Sequence, residues 1–173
     1  MTHDEAVNFL EKGIKPEPGV WLDLGAGSGT FSLALAELLP SGSTIYAIDK
    51  DKNVLNISNA KSVNEIIPIQ ADFNNLPKLP NLDGILMANA LHYIKTPGPF
   101  LQNLLKSLRP NGSFVLIEYN MSKGNPWVPF PIPFQKWRLI SSEVGLSVPE
   151  IFKERISRYG QGTMYAVLSF LLR

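Results

Sequence analysis

Between Val20 and about Tyr119, short unbroken apolar runs alternate with stretches of helical spacing. Val20-Trp21-Leu22-Asp23-Leu24 predicts a buried strand ending at a glycine cluster, and residues 30–39 carry helical spacing up to Pro40-Ser41-Gly42. Residues 44–48 predict a second strand and 51–60 a short helix. Residues 65–70 predict a third strand at a sheet edge, where the missing donor of Pro68 does least harm. Residues 82–88 give a fourth strand. Residues 99–108 form a helix with Phe100, Leu101, Leu104, Leu105 and Leu108 on one face, and 113–119 a fifth strand. Such alternation predicts a parallel sheet covered on both faces, a doubly wound α/β fold.

The last third breaks this rhythm. Prolines at 126, 129, 131 and 133, with Trp127 and Phe130 between them, exclude a regular helix or sheet interior. A helix over 134–144 follows, then strands over 151–159 and 163–172 around Gly160-Gln161-Gly162, an antiparallel hairpin. Thr2-x-x-Glu5 is a capping box for an N-terminal helix carrying Val7, Leu10 and Ile14. The expected organisation is one domain over 1–173, with a helical cap at 1–19 and a Pro/aromatic insert at 120–134.

Composition narrows the chemistry. With 16 Lys+Arg against 15 Asp+Glu the net charge is +1, too small a field for dedicated duplex nucleic-acid binding. The absence of cysteine excludes disulfide scaffolds, thiolate metal sites and cysteine nucleophiles. An acidic start, Met1-Thr2-His3-Asp4-Glu5, is no signal peptide, and no apolar run is long enough to span a bilayer. The expectation is a cytoplasmic protein without membrane partners.

The informative segment is Asp23-Leu24-Gly25-Ala26-Gly27-Ser28-Gly29-Thr30, between the first strand and the first helix. Glycines there let a ligand approach the backbone, and the helix start behind them favours anionic groups. A dinucleotide fingerprint, Gly-x-Gly-x-x-Gly, fails in both registers: the third position is Thr30 or Ser32. The spacing is Gly-x-Gly-x-Gly, preceded by an acid. Asp49 ends the second strand, where a carboxylate accepts from ribose hydroxyls; a loop acid with no ligand is the alternative. Asp72 follows the third strand and serves equally as a turn cap.

These residues resemble the class I S-adenosylmethionine-dependent methyltransferases, in particular type 11-like small-molecule methyltransferases. The likeness continues through Asp83-Gly84-Ile85-Leu86-Met87-Ala88-Asn89-Ala90-Leu91-His92-Tyr93 and through Leu108-Arg109-Pro110-Asn111-Gly112. Asn111 stands where a glycine is usual, a mild change because Asn tolerates left-handed backbone. The resemblance implies a seven-stranded, mostly parallel sheet with an antiparallel last strand and helices on both faces. It also implies S-adenosyl-L-methionine as cofactor and S-adenosyl-L-homocysteine as product. Gly25, Ala26, Gly27 and Gly29 would accommodate the methionine portion with Asp23 near its ammonium and Asn89 bordering the cofactor. Asp49 would take the ribose, Lys50 line the adenine pocket, Asp72 accept from the adenine amino group and Phe73 meet the ring.

In-line methyl transfer needs alignment and shielding, and a base only when the acceptor must lose a proton. His92, just past the fourth strand, is the candidate base; a structural hydrogen bond that fixes the loop is the alternative. Tyr93 and Tyr119 border the same region or simply pack, and His3 is expected to be exposed. Asn89-Ala90-Leu91-His92 is not the Asn/Asp-Pro-Pro-Tyr/Phe of adenine or glutamine amino-group enzymes, and without cysteine cytosine C5 methylation is excluded. The Trp127 insert suits a planar or apolar small-molecule acceptor, or else packs rigidly on the sheet. Besides the methyltransferase stand a cofactor-binding regulatory or partner subunit without methyl transfer and, third, an NAD(P)-dependent oxidoreductase. Specificity is expected from the N-terminal helix, the Trp127 region, or a homodimer or partner subunit.

Overall fold

A computed structural model describes residues 1–57, 62–157 and 162–172. The elements are α1 (His3–Leu10), β1 (Val20–Leu24), α2 (Thr30–Leu38), β2 (Thr44–Asp49), β3 (Glu65–Gln70), β4 (Leu82–Ala88), α3 (Pro97–Leu104), β5 (Leu108–Asn120), α4 (Phe134–Glu143), β6 (Glu150–Ile156) and β7 (Thr163–Phe170). The seven strands form one sheet in the order β3-β2-β1-β4-β5-β7-β6. Pairs from β3 to β5 are parallel, and β7 runs antiparallel to both β5 and β6. Chain order reverses between β1 and β4, so the loops after these two strands diverge and leave the crevice where such sheets bind ligands.

Pro68 lies in β3, an edge strand as its composition demands, opposite Ala47. The Thr2–Glu5 capping box forms in both directions. Asn111 takes left-handed backbone (φ 61°) within β5, where the pairing with β4 is irregular. Several boundaries differ from the sequence pattern: the fifth strand, expected over 113–119, already begins at Leu108, and the strand expected over 151–159 ends at Ile156. The helix expected over 51–60 is a 3-10 turn at Lys52–Asn56, capped by Asp51, and residues 58–61 lie outside the described residues. The helix expected at 99–108 starts earlier, on Pro97, because proline suits the first helical turn. It ends at Leu104, after which a 3-10 turn leads into β5. Within the expected hairpin, β6 and β7 pair as antiparallel strands, whereas residues 158–161 of the turn lie outside the described residues.

Each face of the sheet carries its own core. One packs α1 and α2, with Phe9, Leu10 and Leu35, against Trp21, Val115 and Ile117. The other packs α3 and α4, with Leu101 and Trp137, against Leu22, Ile85 and Phe114. Trp137 stacks on Phe114 with ring centroids 5.5 Å apart. Each such side chain removed from water stabilises by about 1.5–3 kcal/mol, so alternate positions of β5 commit to opposite faces. Asp83 accepts from the Val20 N–H (2.8 Å) and pairs with Arg109, fastening β1, β4 and β5 at their N-terminal ends. The opposite, C-terminal ends carry the polar groups described next. Among the described residues, no helix is long and apolar enough to cross a membrane.

Candidate functional site

After Leu24 the chain turns through Gly25, Gly27 and Gly29 at φ of 88°, 55° and 87°, values that side-chain-bearing residues rarely adopt. The Gly25 and Ala26 N–H groups both donate to the carbonyl of Ile48, at 2.8 and 3.1 Å, and the Gly27 N–H donates to Asp49 Oδ2 at 2.9 Å. The loop therefore hangs on the end of β2. A Cβ on Gly25 would run into the Cβ of Ala90, so the loops after β1 and β4 touch there. A Cβ on Gly27 would meet nothing within 4 Å. At Gly27 the backbone borders open space, with Asp49 beside it and the start of α2 behind.

Two buried acceptors in this region lack donors. Asp23 is wholly buried; its Oδ2 accepts from Ser32 Oγ at 2.6 Å, and its Oδ1 has no partner among the described residues. Burial pushes its carboxyl from 3.8 up to about 7; the Ser32 hydrogen bond works against that shift and the Asp49 charge adds to it. Asn89, at φ 53°, donates its backbone N–H to Ile117 O at 2.8 Å, while its buried Oδ1 has no partner among the described residues. Buried oxygens of this kind are unfavourable until something donates to them.

The remaining acids are held at the ends of β2 and β3. Asp49 Oδ1 accepts from the Asp51 N–H at 2.8 Å, completing a carboxylate oriented by two backbone amides. Lys50 is exposed, with Nζ 6.0 Å from the centre of the Tyr93 ring. Asp72 is also exposed and caps a short turn, its Oδ1 accepting from Asn74 N and Nδ2 at 2.8 Å each. The Phe73 ring reaches the Gly25 turn and lies 6.0 Å from the Phe100 ring. Thus Asp23, the glycines, Asp49, Phe73 and Asn89 gather on one crevice, and Lys50 and Asp72 are exposed at the ends of neighbouring strands.

On the other side of Asn89 opens a cavity of about 1070 Å³, bordered by His92, Tyr93, Tyr119, Trp127 and Thr163 among others. His92 is nearly fully buried, and its Nδ1 lies 2.7 Å from Oε2 of Glu118, itself inaccessible to solvent. The His92 backbone N–H donates to Glu118 Oε1 at 3.1 Å. Glu118 is the functional candidate that the sequence pattern did not single out. A signal was available: by strand alternation it shares a face with the core residues Phe114 and Leu116, where a charge needs a reason.

The Pro-rich insert forms part of the cavity wall and is pinned to the sheet. Phe130 N–H donates to His92 O (3.0 Å), Phe134 N–H to Asn120 Oδ1 (3.1 Å) and the Tyr165 hydroxyl to Ile132 O (2.6 Å). Burial, and then the Glu118 charge, push the Tyr165 phenol far above its usual range, so it stays a neutral donor. Val128 and Ile132 pack inward, but Trp127 is 80% exposed at the cavity wall. No residue of 1–19 borders this cavity; α1 packs on α2, and His3 meets Glu37 at 2.6 Å. Among the described residues no cluster of His, Cys, Asp and Glu could hold a metal ion.

Comparison with known proteins gives a consistent result. Residues 22–116 match the family described as "Methyltransferase domain". A demethylmenaquinone methyltransferase from Clavibacter sepedonicus is 27% identical over 141 residues, 80% of this chain and 54% of the relative. The chain therefore spans about half the length of that curated relative. A solved S-adenosylmethionine-dependent methyltransferase from Aquifex aeolicus superposes with a TM-score of 0.73 at 20% identity, over 96% of this chain and 89% of its own. The 1,6-didemethyltoxoflavin-N1-methyltransferase of Burkholderia thailandensis, solved with 1,6-didemethyltoxoflavin and S-adenosylhomocysteine, gives 0.75 at 16% identity, over 99% and 78%. At these identities the structural likeness is one of fold.

Proposed function

This chain belongs to the methyltransferase domain family, and from that premise we propose that it transfers a methyl group from S-adenosylmethionine to a small-molecule acceptor. The carrying observation is the pairing of an open, glycine-lined backbone at Gly27 with two donor-less buried oxygens, Asp23 Oδ1 and Asn89 Oδ1. The residues present fit the cofactor: a group bearing an ammonium supplies the donors these oxygens lack, and a neighbouring cation would draw Asp23 back to its ionised form. When bound, the cofactor supplies a methyl group on a positively charged sulfur.

The chain's own residues do the rest. Gly27 leaves the methionine portion room to approach the backbone, Gly25, Ala26 and Gly29 hold the turn that presents it, and Asp23 holds its ammonium. Asp49, already aimed by two amides, accepts from the ribose hydroxyls, with Lys50, Asp72 and Phe73 around the adenine. Asn89 borders both the glycine loop's neighbour Ala90 and the cavity, so an acceptor held there lies next to the reacting methyl. Alignment and exclusion of water then carry an in-line displacement. His92 is the base when the acceptor has a proton to lose. The insert at 120–134 forms the acceptor side. Two similar proteins are named for organic acceptors, demethylmenaquinone and 1,6-didemethyltoxoflavin, which supports an organic acceptor here.

Calorimetric titration tests the reading: S-adenosylhomocysteine binds saturably and NAD does not. NAD binding without a response to the homocysteine compound refutes it. Incubation with methyl-labelled cofactor and cell extract then yields labelled small molecules; absence of transfer across varied extracts would favour a binding subunit.

A further inference from the structure

We propose that Glu118 is a positioning residue that holds His92 as a proton acceptor, and that the acceptor is a planar molecule with a weakly acidic hydroxyl, a phenol or enol. This rests on the methyltransferase reading for the transfer step, but the dyad itself stands on its own geometry.

Glu118 is a carboxylate with no solvent exposure, and among the described residues no Lys or Arg pairs with it. Its oxygens accept from the His92 backbone N–H at 3.1 Å and the Tyr119 N–H at 3.3 Å, and meet His92 Nδ1 at 2.7 Å. The ionisable groups around the pair are Tyr93 and Tyr119, with ring centroids 4.4 and 6.1 Å from the imidazole, and Tyr165, opposite Glu118 in β7. Lys123 forms part of the cavity wall, and Lys50 Nζ lies 6.0 Å from the centre of the Tyr93 ring. The Tyr165 hydroxyl donates to Ile132 O and so does not neutralise Glu118. Among the described residues the donors that reach Glu118 come from His92 and Tyr119.

That arrangement sets the tautomer. A carboxylate on Nδ1 keeps the proton on Nδ1 and leaves Nε2 as a lone-pair acceptor. Nε2 has no partner among the described residues, and His92 forms part of the cavity wall. A tertiary amine or thioether acceptor has no proton to lose, and a carboxylate has lost its own at neutral pH. A phenol or enol keeps most of its protons there, so a placed base raises its reactivity. Tyr93, Tyr119 and Trp127 give the cavity aromatic walls suited to a flat ring.

In the balanced step the hydroxyl proton passes to Nε2, giving an imidazolium that Glu118 stabilises. The acceptor oxygen then forms its bond to the methyl carbon while the carbon–sulfur bond breaks. That electron pair remains on sulfur as the neutral thioether, and the imidazolium returns its proton to water.

The probe is 4-nitrophenol, whose phenolate absorbs visible light, titrated into the full chain with S-adenosylhomocysteine. The bound phenol ionises at least one pH unit below the free phenol, a tenfold shift in the equilibrium. Glu118→Gln and His92→Gln abolish that shift while S-adenosylhomocysteine affinity is unchanged, and Glu118→Asp restores part of it. Circular dichroism checks folding; if Glu118→Gln does not fold, His92→Gln decides. Because the chain has 2 histidines, nitrogen-15 NMR with His3→Gln for assignment reads the His92 tautomer directly, with Nε2 unprotonated. The proposal is overturned if 4-nitrophenol does not bind, if it ionises as in water, if Glu118→Gln keeps the shift, or if Nε2 carries the proton. Failure to bind S-adenosylhomocysteine would instead overturn the methyltransferase reading.

Discussion

The two sides of the crevice are built in opposite ways. On the β1–β2 side a backbone loop hangs from a neighbouring strand end, and the Asp23 oxygen next to it lacks a donor. On the β4–β5 side, Asn89 Oδ1 and His92 Nε2 apart, the polar groups meet one another: Glu118 takes both His92 donors, and the insert is tied down by Tyr165 and Asn120. On the proposed function the first region is completed by a ligand, whereas the second is largely assembled without one. Polar deletions should therefore weaken binding on one side and folding on the other.

Glu118→Ala is the strongest test of that contrast. It strands two His92 donors in the interior, and losses of about 3–5 kcal/mol are usual when one partner of a buried pair is removed. Urea unfolding measures it beside Asp23→Ala, which removes an acceptor that was never fully satisfied and costs far less. Equal losses would erase the distinction.

Next come two glycines in one loop. Both alanine variants meet a left-handed penalty of about 1–2 kcal/mol, but only Gly25→Ala also collides with Ala90, adding about 1–3 kcal/mol. Gly27→Ala keeps most stability and loses cofactor affinity, because its methyl enters the open space. Thermal unfolding with and without S-adenosylhomocysteine separates the two effects.

Asp23→Asn sharpens the comparison through pH. The folded carboxyl, raised from 3.8 to about 7, retains a proton that the unfolded chain has released, so stability falls as pH rises through that window. Without cofactor, the Asn variant has a flatter stability profile and at pH 8 exceeds the parent by about 1 kcal/mol or more. It also binds S-adenosylhomocysteine about tenfold more weakly, for want of a charge-assisted hydrogen bond. A parent protein with no such pH slope would show that Asp23 is not the strained acceptor described.

Trp127→Ala should move least. Being 80% exposed, the side chain contributes under about 0.5 kcal/mol to folding. The same variant raises the KM for the acceptor and leaves that for S-adenosylmethionine unchanged.

Legibility in the sequence follows the same divide. The glycine loop is readable because its requirements are local: left-handed backbone, close approach, a strand before and a helix after. Pro68 marks its own edge and Asn111 its own left-handed position for similar reasons. The short helix expected after Asp51 is a single 3-10 turn, since apolar spacing over so few residues does not fix which helix forms. His92 is visible as a lone histidine past a strand, but its partner is not: Glu118 lies 26 residues on, in another strand.

By itself the sequence determined the alternating elements, the doubly wound sheet and the left-handed glycine loop, all of which depend on periodicity and backbone conformation within a few residues. Only the tertiary structure decided that Glu118 meets His92, that Tyr165 pins the insert 33 residues away, and that Asp23 keeps one oxygen without a donor. Those outcomes depend on strand register and burial. A one-residue slip would turn Glu118 to the opposite face, and the desolvation that raises the Asp23 pKa exists only once both cores have closed over the sheet.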